Sequence, residues 1–134
     1  MEKLYTGTGK SYTGYCGVLA VANVANVELA TAANVFIKLC KRSPNKWKGG
    51  TRHQDRVKVL NHYKVKWEEF KTVPMTLSHF VDQHTVKGKT YIITTTSHVQ
   101  LVKDGIVTDQ RGSFPVSDYW GKKKRLKKFQ IKIK

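Results

Sequence analysis

SHVQLVKDGIVTDQ, residues 97–110, decides the fold class. Two runs rich in β-branched residues, His98 to Lys103 and Ile106 to Thr108, flank Asp104–Gly105, the strongest short hairpin signal in the chain. The pair predicts an antiparallel hairpin. Upstream, Tyr91 to Thr95 has the same β-branched character and extends the sheet. Downstream, Phe129, Ile131 and Ile133 alternate with Gln130, Lys132 and Lys134, which predicts a final amphipathic strand with a lysine-lined outer face.

Before residue 88 the period changes from two to between three and four. CGVLAVANVANVELA, residues 16–30, puts Cys16, Leu19, Ala20, Asn23 and Val27 on one helical face and Val18, Val21, Ala22 and Ala25 on the others. A helix apolar all round is a buried one. Leu29, Ala32, Ala33, Phe36 and Leu39 or Cys40 predict a second helix, ending at the cationic Lys41 and Arg42 before Ser43–Pro44. Thr51 is placed to cap a third helix carrying Val57, Leu60 and Tyr63, and Thr76 a short fourth carrying Leu77, Phe80 and Val81. Val65 to Glu68 reads as a short strand between them. The expected architecture is α+β: a helical part over about 14–86, whose buried central helix packs on an antiparallel sheet over about 88–134.

The 134 residues make one domain, 1–134, and 40% hydrophobic content excludes the composition of a disordered chain. Two cysteines, Cys16 and Cys40, are too few for a disulfide scaffold, and MEKLYTGTGKSYTG has no apolar signal segment, so a cytoplasmic location is expected. The apolar stretch Gly17 to Val27 is too short to span a bilayer, and no membrane insertion is expected. The net charge of +16 is uneven. Residues 1–40 carry three basic against two acidic groups, 41–72 ten against three, 73–118 four against four, and 119–134 eight against none, giving +1, +7, 0 and +8. Two basic blocks flank a neutral region, which predicts an acidic partner, protein or nucleic acid.

TGTGKS ends like a phosphate-binding loop, yet that pattern needs a Gly where Leu4 stands, so nucleotide hydrolysis is set aside. The stronger constellation is Cys16, His98 and Asp109. A cysteine in the first turn of a buried helix feels the positive end of the helix dipole, which favours the thiolate. A histidine on a strand can pair with that thiolate, and an acid on the adjacent strand can orient the imidazole. His98 lies six residues before the Asp104–Gly105 turn and Asp109 four after it, so the two are neighbours across the hairpin within a residue or two of register.

TGYCGVLAVANV (13–24) and SHVQLVKDGIVTDQ (97–110) resemble the papain-like cysteine peptidases, with the bacteriocin-leader-processing branch nearest in layout. The transglutaminase-like enzymes share the Cys-His-Asp order. The resemblance implies a papain-like core, Cys16 as nucleophile, His98 as base and then acid, and Asp109 as orienter, with no cofactor. The family usually places Gln six residues before the Cys to hold the oxyanion. Here that position is Lys10, and Lys10, Ser11 and Thr13 are the candidate donors beside the Cys16 backbone N–H.

His79 and His84, five apart, and His53 and His62, nine apart, lack metal-ligand spacing, and no metal site is expected. The first basic block offers Lys41, Arg42, Lys46, Trp47, Lys48 and Arg52, and the second Lys122, Lys123, Lys124, Arg125, Lys127 and Lys128, with Tyr119, Trp120 and Phe129 beside them as stacking faces. Two functions emerge. One is a cysteine-dependent peptidase, amidase or isopeptidase acting on an acidic or nucleic-acid-associated substrate. The rival keeps the fold without catalysis and binds nucleic acid or an acidic host protein through its lysines.

Overall fold

The computed structural model describes residues 14–134 and is α+β, four helices with a six-stranded antiparallel sheet. Helix α1 (Cys16–Ala25) carries no charged side chain, and Gly17 through Asn23 are all buried. It is enclosed on every side, as its uniform apolarity requires. Asn26 ends it in the left-handed conformation (φ 58°), and the Val27 N–H closes the turn on the Ala22 carbonyl at 3.0 Å. The chain bends by 110° into α2 (Leu29–Leu39), whose Leu29, Ala32 and Phe36 face inward at spacings of three and four. Among the described residues no single helix is long and apolar enough to cross a membrane.

Helix α3 (His53–His62) starts one residue later than a Thr51 cap predicts. Arg52 occupies the cap, and the Asp55 carboxylate accepts its backbone N–H at 3.0 Å. Thr51 is released for another use: its hydroxyl and carbonyl oxygens accept from the Arg56 guanidinium at 2.8 and 3.0 Å. Strand β1 follows at Trp67–Lys71, two residues beyond the expected position, so the stretch 14–86 is not purely helical. Helix α4 (Leu77–His84) is capped as predicted, the Thr76 hydroxyl accepting the His79 N–H at 3.2 Å.

The remaining strands are β2 (Thr90–Thr95), β3 (His98–Lys103), β4 (Ile106–Asp109), β5 (Gly112–Pro115) and β6 (Phe129–Ile133). Their order in the sheet is β1-β6-β2-β3-β4-β5. Asp104 (φ 51°) and Gly105 (φ 78°) both take positive φ at the β3–β4 turn, the geometry that matches strand twist. The ladder Lys103↔Ile106, Val102↔Val107, Leu101↔Thr108 continues to place Asp109 opposite Gln100. That is two residues from His98 and on the same face. Strand β5 was not anticipated, because Gly112 and Pro115 conceal it.

Two cores lie against the sheet. Helices α1, α2 and α3 pack with Ile92, Val99, Leu101 and Ile131, while α4 packs with Tyr91, Ile93, Val102, Val107 and Tyr119. Alternate strand residues thus serve opposite layers. The final strand departs from its expected polar outer face. Gln130 is fully buried: its side chain accepts the Thr94 N–H at 2.7 Å and donates to the carbonyls of Thr94 (2.9 Å) and Lys127 (2.7 Å). It replaces a stretch of backbone ladder, because β6 pairs with β2 at Tyr91↔Lys132 and Ile92↔Ile131, and contact resumes only at the Thr95↔Leu126 bridge. Between those two points Lys128 and Phe129 part from β2 but stay on the β1 side, where Phe129 pairs with Lys71 and the Thr72 N–H donates to the Lys128 carbonyl at 2.8 Å.

Gln130→Leu removes all three bonds and strands the buried Thr94 N–H. Urea denaturation is expected to show a loss of about 1–3 kcal/mol, whereas a residue on a solvated face would lose less than about 0.5 kcal/mol.

Candidate active site

The site forms where the start of α1 meets the start of β3, at one end of the sheet. Cys16 is the first residue of α1, a position whose free N–H groups and aligned peptide dipoles present positive potential. His98 opens β3 and Asp109 closes β4. The structure brings the three together. His98 Nε2 lies 3.0 Å from Asp109 Oδ2 in a buried contact, which leaves Nδ1 for Cys16, the other residue at the head of the same cleft.

The electrostatics follow from those contacts. Burial by itself raises a thiol's pKa, but the hydrogen bond and charge of His98, with backbone hydrogen bonds from Val99 and Gly17, outweigh it and lower Cys16 below 9.0. Burial would also lower His98. The bonds to Asp109 and Cys16 and their negative charges reverse this and raise it above 6.5. The two shifts run in opposite directions and share one cause, the interaction between the sulfur and the imidazole. Cys40 behaves in the opposite sense: half-buried at the end of α2, it is raised above 9.0 by burial and by the charge of Asp55.

Asp109 is the most heavily bonded group. Besides His98, its carboxylate accepts from Tyr119 Oη at 2.8 Å, Trp120 Nε1 at 2.9 Å and the Arg111 N–H at 2.8 Å. Burial opposes the charge, yet these donors hold the Asp109 pKa down at about 2. The carboxylate therefore stays ionised across the physiological range, and its contribution to stability is present above its unfolded value of 3.8 and lost as pH falls towards 2. Tyr119 is 1% exposed, and burial beside Asp109 drives its phenol pKa far upward, so it acts as a donor only. Gln100 completes the support, its amide bonded to the Ile93 carbonyl and its oxygen 3.2 Å from Tyr119 Oη. Trp120 sets its ring 5.1 Å from that of His98, covering the imidazole, and carries Arg111 and Lys124 over its own face at 4.2 and 4.9 Å.

In front of Cys16 and His98 lies a cleft of about 610 Å3, lined also by Gly17, Thr51, Arg52, Arg56, Thr94, Lys127 and Lys128. A Cβ on Gly17 would come within 2.1 Å of the Thr51 hydroxyl, so only glycine allows this loop to close against α1. Arg56, 2% exposed, bonds Thr51 and the Thr94 hydroxyl (3.0 Å). Desolvation brings its pKa down to about 10, against the pull of the nearby Cys16 and Asp55.

Other predicted residues fall into place less evenly. Lys10, Ser11 and Thr13 lie outside the described residues. Arg42 is not a free cation, because it pairs with Asp55 at 2.5 Å. Trp47 is not a stacking face: it packs against Tyr15 and Phe36, and its Nε1–H bonds the Gly50 carbonyl at 2.8 Å. Tyr119 likewise faces inward. Lys41, Lys46, Lys48 and Lys123 are exposed, and Lys122 bonds the Ser117 carbonyl at 2.6 Å. His53 pairs with Glu69 at 2.8 Å, and His79 and His84 lie ring to ring at 5.4 Å. Sequence reasoning missed the roles of Arg56, Gln100 and Trp120; the one available signal was Gln100, which shares His98's face on a strand otherwise apolar.

No protein-family model, curated protein or solved structure matches the chain. The geometry sets a cysteine at the head of a buried helix beside an imidazole that a buried carboxylate holds.

Iodoacetamide at pH 6–7 is expected to label Cys16 well ahead of Cys40, as followed by peptide mass mapping. His98→Ala should slow Cys16 by about tenfold or more, one pKa unit being a factor of ten in thiolate below the pKa. Equal, slow labelling of both cysteines contradicts the pair.

Proposed function

We propose that this protein is a cysteine-dependent hydrolase of amide bonds, whether peptide, isopeptide or side-chain amide, built on a papain-like core. The observation that carries the reading is the continuous relay Cys16, His98, Asp109, in which each shift in proton affinity has the sign that nucleophilic catalysis requires. Structural cysteines have no need of a protonated imidazole. The arrangement of helix-borne Cys followed by sheet-borne His and Asp supports the papain-like assignment.

The Cys16 thiolate attacks the carbonyl carbon, forming the C–S bond while the carbonyl π electrons move onto oxygen. The oxyanion lies at the start of α1, where the first-turn N–H groups, that of Cys16 among them, have no partner within the helix. Collapse expels the amine, which takes its proton from His98 and leaves a thioester on Cys16. Water, deprotonated by the now neutral His98, attacks that thioester and releases the acid, restoring thiolate and imidazolium. Asp109 remains ionised throughout. Its bond to Nε2 keeps Nδ1 aimed at the reaction, and Tyr119 and Trp120 fix the carboxylate in turn.

A proteome-derived peptide library incubated with the wild-type protein and analysed by mass spectrometry is expected to show new termini that Cys16→Ala does not produce. Asp109→Ala should lower kcat/KM on a peptide so identified by about 10²–10⁴-fold. The pH profile should be bell-shaped, falling on the acid side as the thiolate is protonated and on the alkaline side as His98 loses its proton. New termini made equally by Cys16→Ala would overturn the assignment.

A further inference from the structure

The two basic blocks are more than seventy residues apart at the positions that matter, yet both send cations into one place. Arg52 and Arg56 from the first and Lys127 and Lys128 from the second line the Cys16 cleft. Lys127 and Lys128 reach it because the chain parts from β2 between Leu126 and Gln130, a departure held by the buried Gln130 amide. Among the described residues no carboxylate lines the cleft. The acidic groups bonded to its lining residues are already engaged, Asp109 by His98, Asp55 by Arg42 and Arg52, and Glu69 by His53. Among the described residues Arg56 meets no carboxylate at ion-pair distance, its Nε has no hydrogen-bond partner, and Lys127 and Lys128 form no ion pair. A buried cation next to an acid-free cleft leaves positive potential focused there.

We propose that this cleft is a binding site for an acidic peptide, in which a substrate carboxylate beside the scissile bond meets Lys127 and Lys128 over the buried charge of Arg56. The inference rests on the hydrolase reading for the position of the scissile bond, and on charge complementarity for the class of ligand. Nucleic acid fits less well. Single-stranded binding needs free aromatic faces beside the cations. Here Trp47 and Tyr119 are packed inward, and the two exposed rings already carry cations, Phe129 with Lys71 and Lys128 at 5.7 and 5.6 Å and Trp120 with Arg111 and Lys124. The cations in the cleft are left to meet carboxylates.

The test measures binding to the full chain carrying Cys16→Ala, so it does not depend on turnover. Fluorescence anisotropy would compare a dye-labelled oligoglutamate peptide, its oligoglutamine counterpart and a single-stranded oligonucleotide of equal charge. Oligoglutamate is expected to bind at least about tenfold tighter than oligoglutamine. Lys127→Gln with Lys128→Gln should weaken it by about threefold or more, while Lys41→Gln with Lys46→Gln, the same charge removed outside the cleft, stays within about twofold. Equal losses in the two double variants, or an oligonucleotide that binds better than oligoglutamate, would overturn the proposal. Oligoglutamate bound in the cleft by a protein that cleaves nothing would sink the hydrolase and leave the acidic-peptide site standing. Cleavage indifferent to acidic residues would do the reverse.

Discussion

The buried bond between His98 Nε2 and Asp109 Oδ2 is the constraint on which the rest of the site depends. With one ring nitrogen held by a carboxylate that stays ionised, the imidazole is left to present the other to Cys16, and the same carboxylate favours its protonated form. Lowering of the thiol and raising of the imidazole are then two views of one interaction. The fold's part is to make the bond unavoidable. The primed turn at Asp104–Gly105 sets the register, the register puts Asp109 two residues from His98 on one face, and Tyr119 and Trp120 close over the carboxylate from the connection between β5 and β6.

The same connection shapes the cleft. A side-chain amide substitutes for backbone pairing to β2 at Gln130, and the stretch it ties down brings Lys127 and Lys128 to the cleft that Cys16 lines. On the opposite side Gly17 lets Thr51 and Arg56 sit against the first turn of α1. Positive charge thus reaches Cys16 from the helix start, from His98 and from the cleft walls. All three favour the thiolate, and the last two also favour a negatively charged ligand. A chain of net charge +16 need not have concentrated any of it here; the convergence of both basic blocks on one acid-free cleft gives the charge a location.

Much of this was legible from residue patterns, and the failures have physical causes. The buried helix, the hairpin and the pairing of His98 with Asp109 were readable because local periodicity and a strong turn signal specify them. Strand β5 was hidden by Gly112 and Pro115, and the start of α3 shifted by one residue because Asp55 caps Arg52 and leaves Thr51 to bind Arg56. Gln130 looked like a surface residue because alternation alone cannot distinguish a solvated amide from one that mends a gap between strands. Trp47 and Tyr119 looked like stacking faces beside the basic runs. Whether an aromatic neighbour of lysines points outward or into a core is set by tertiary contacts that the local sequence does not encode.

The most direct measurement of the central claim is a titration of thiolate absorbance in the ultraviolet, recorded as the difference between the wild-type protein and Cys16→Ser. The account predicts a thiolate that forms below the ordinary thiol value of 9.0 and remains as the pH rises further. A difference signal that rises only at or above 9.0 would mean that the sulfur and the imidazole are not joined as a charged pair.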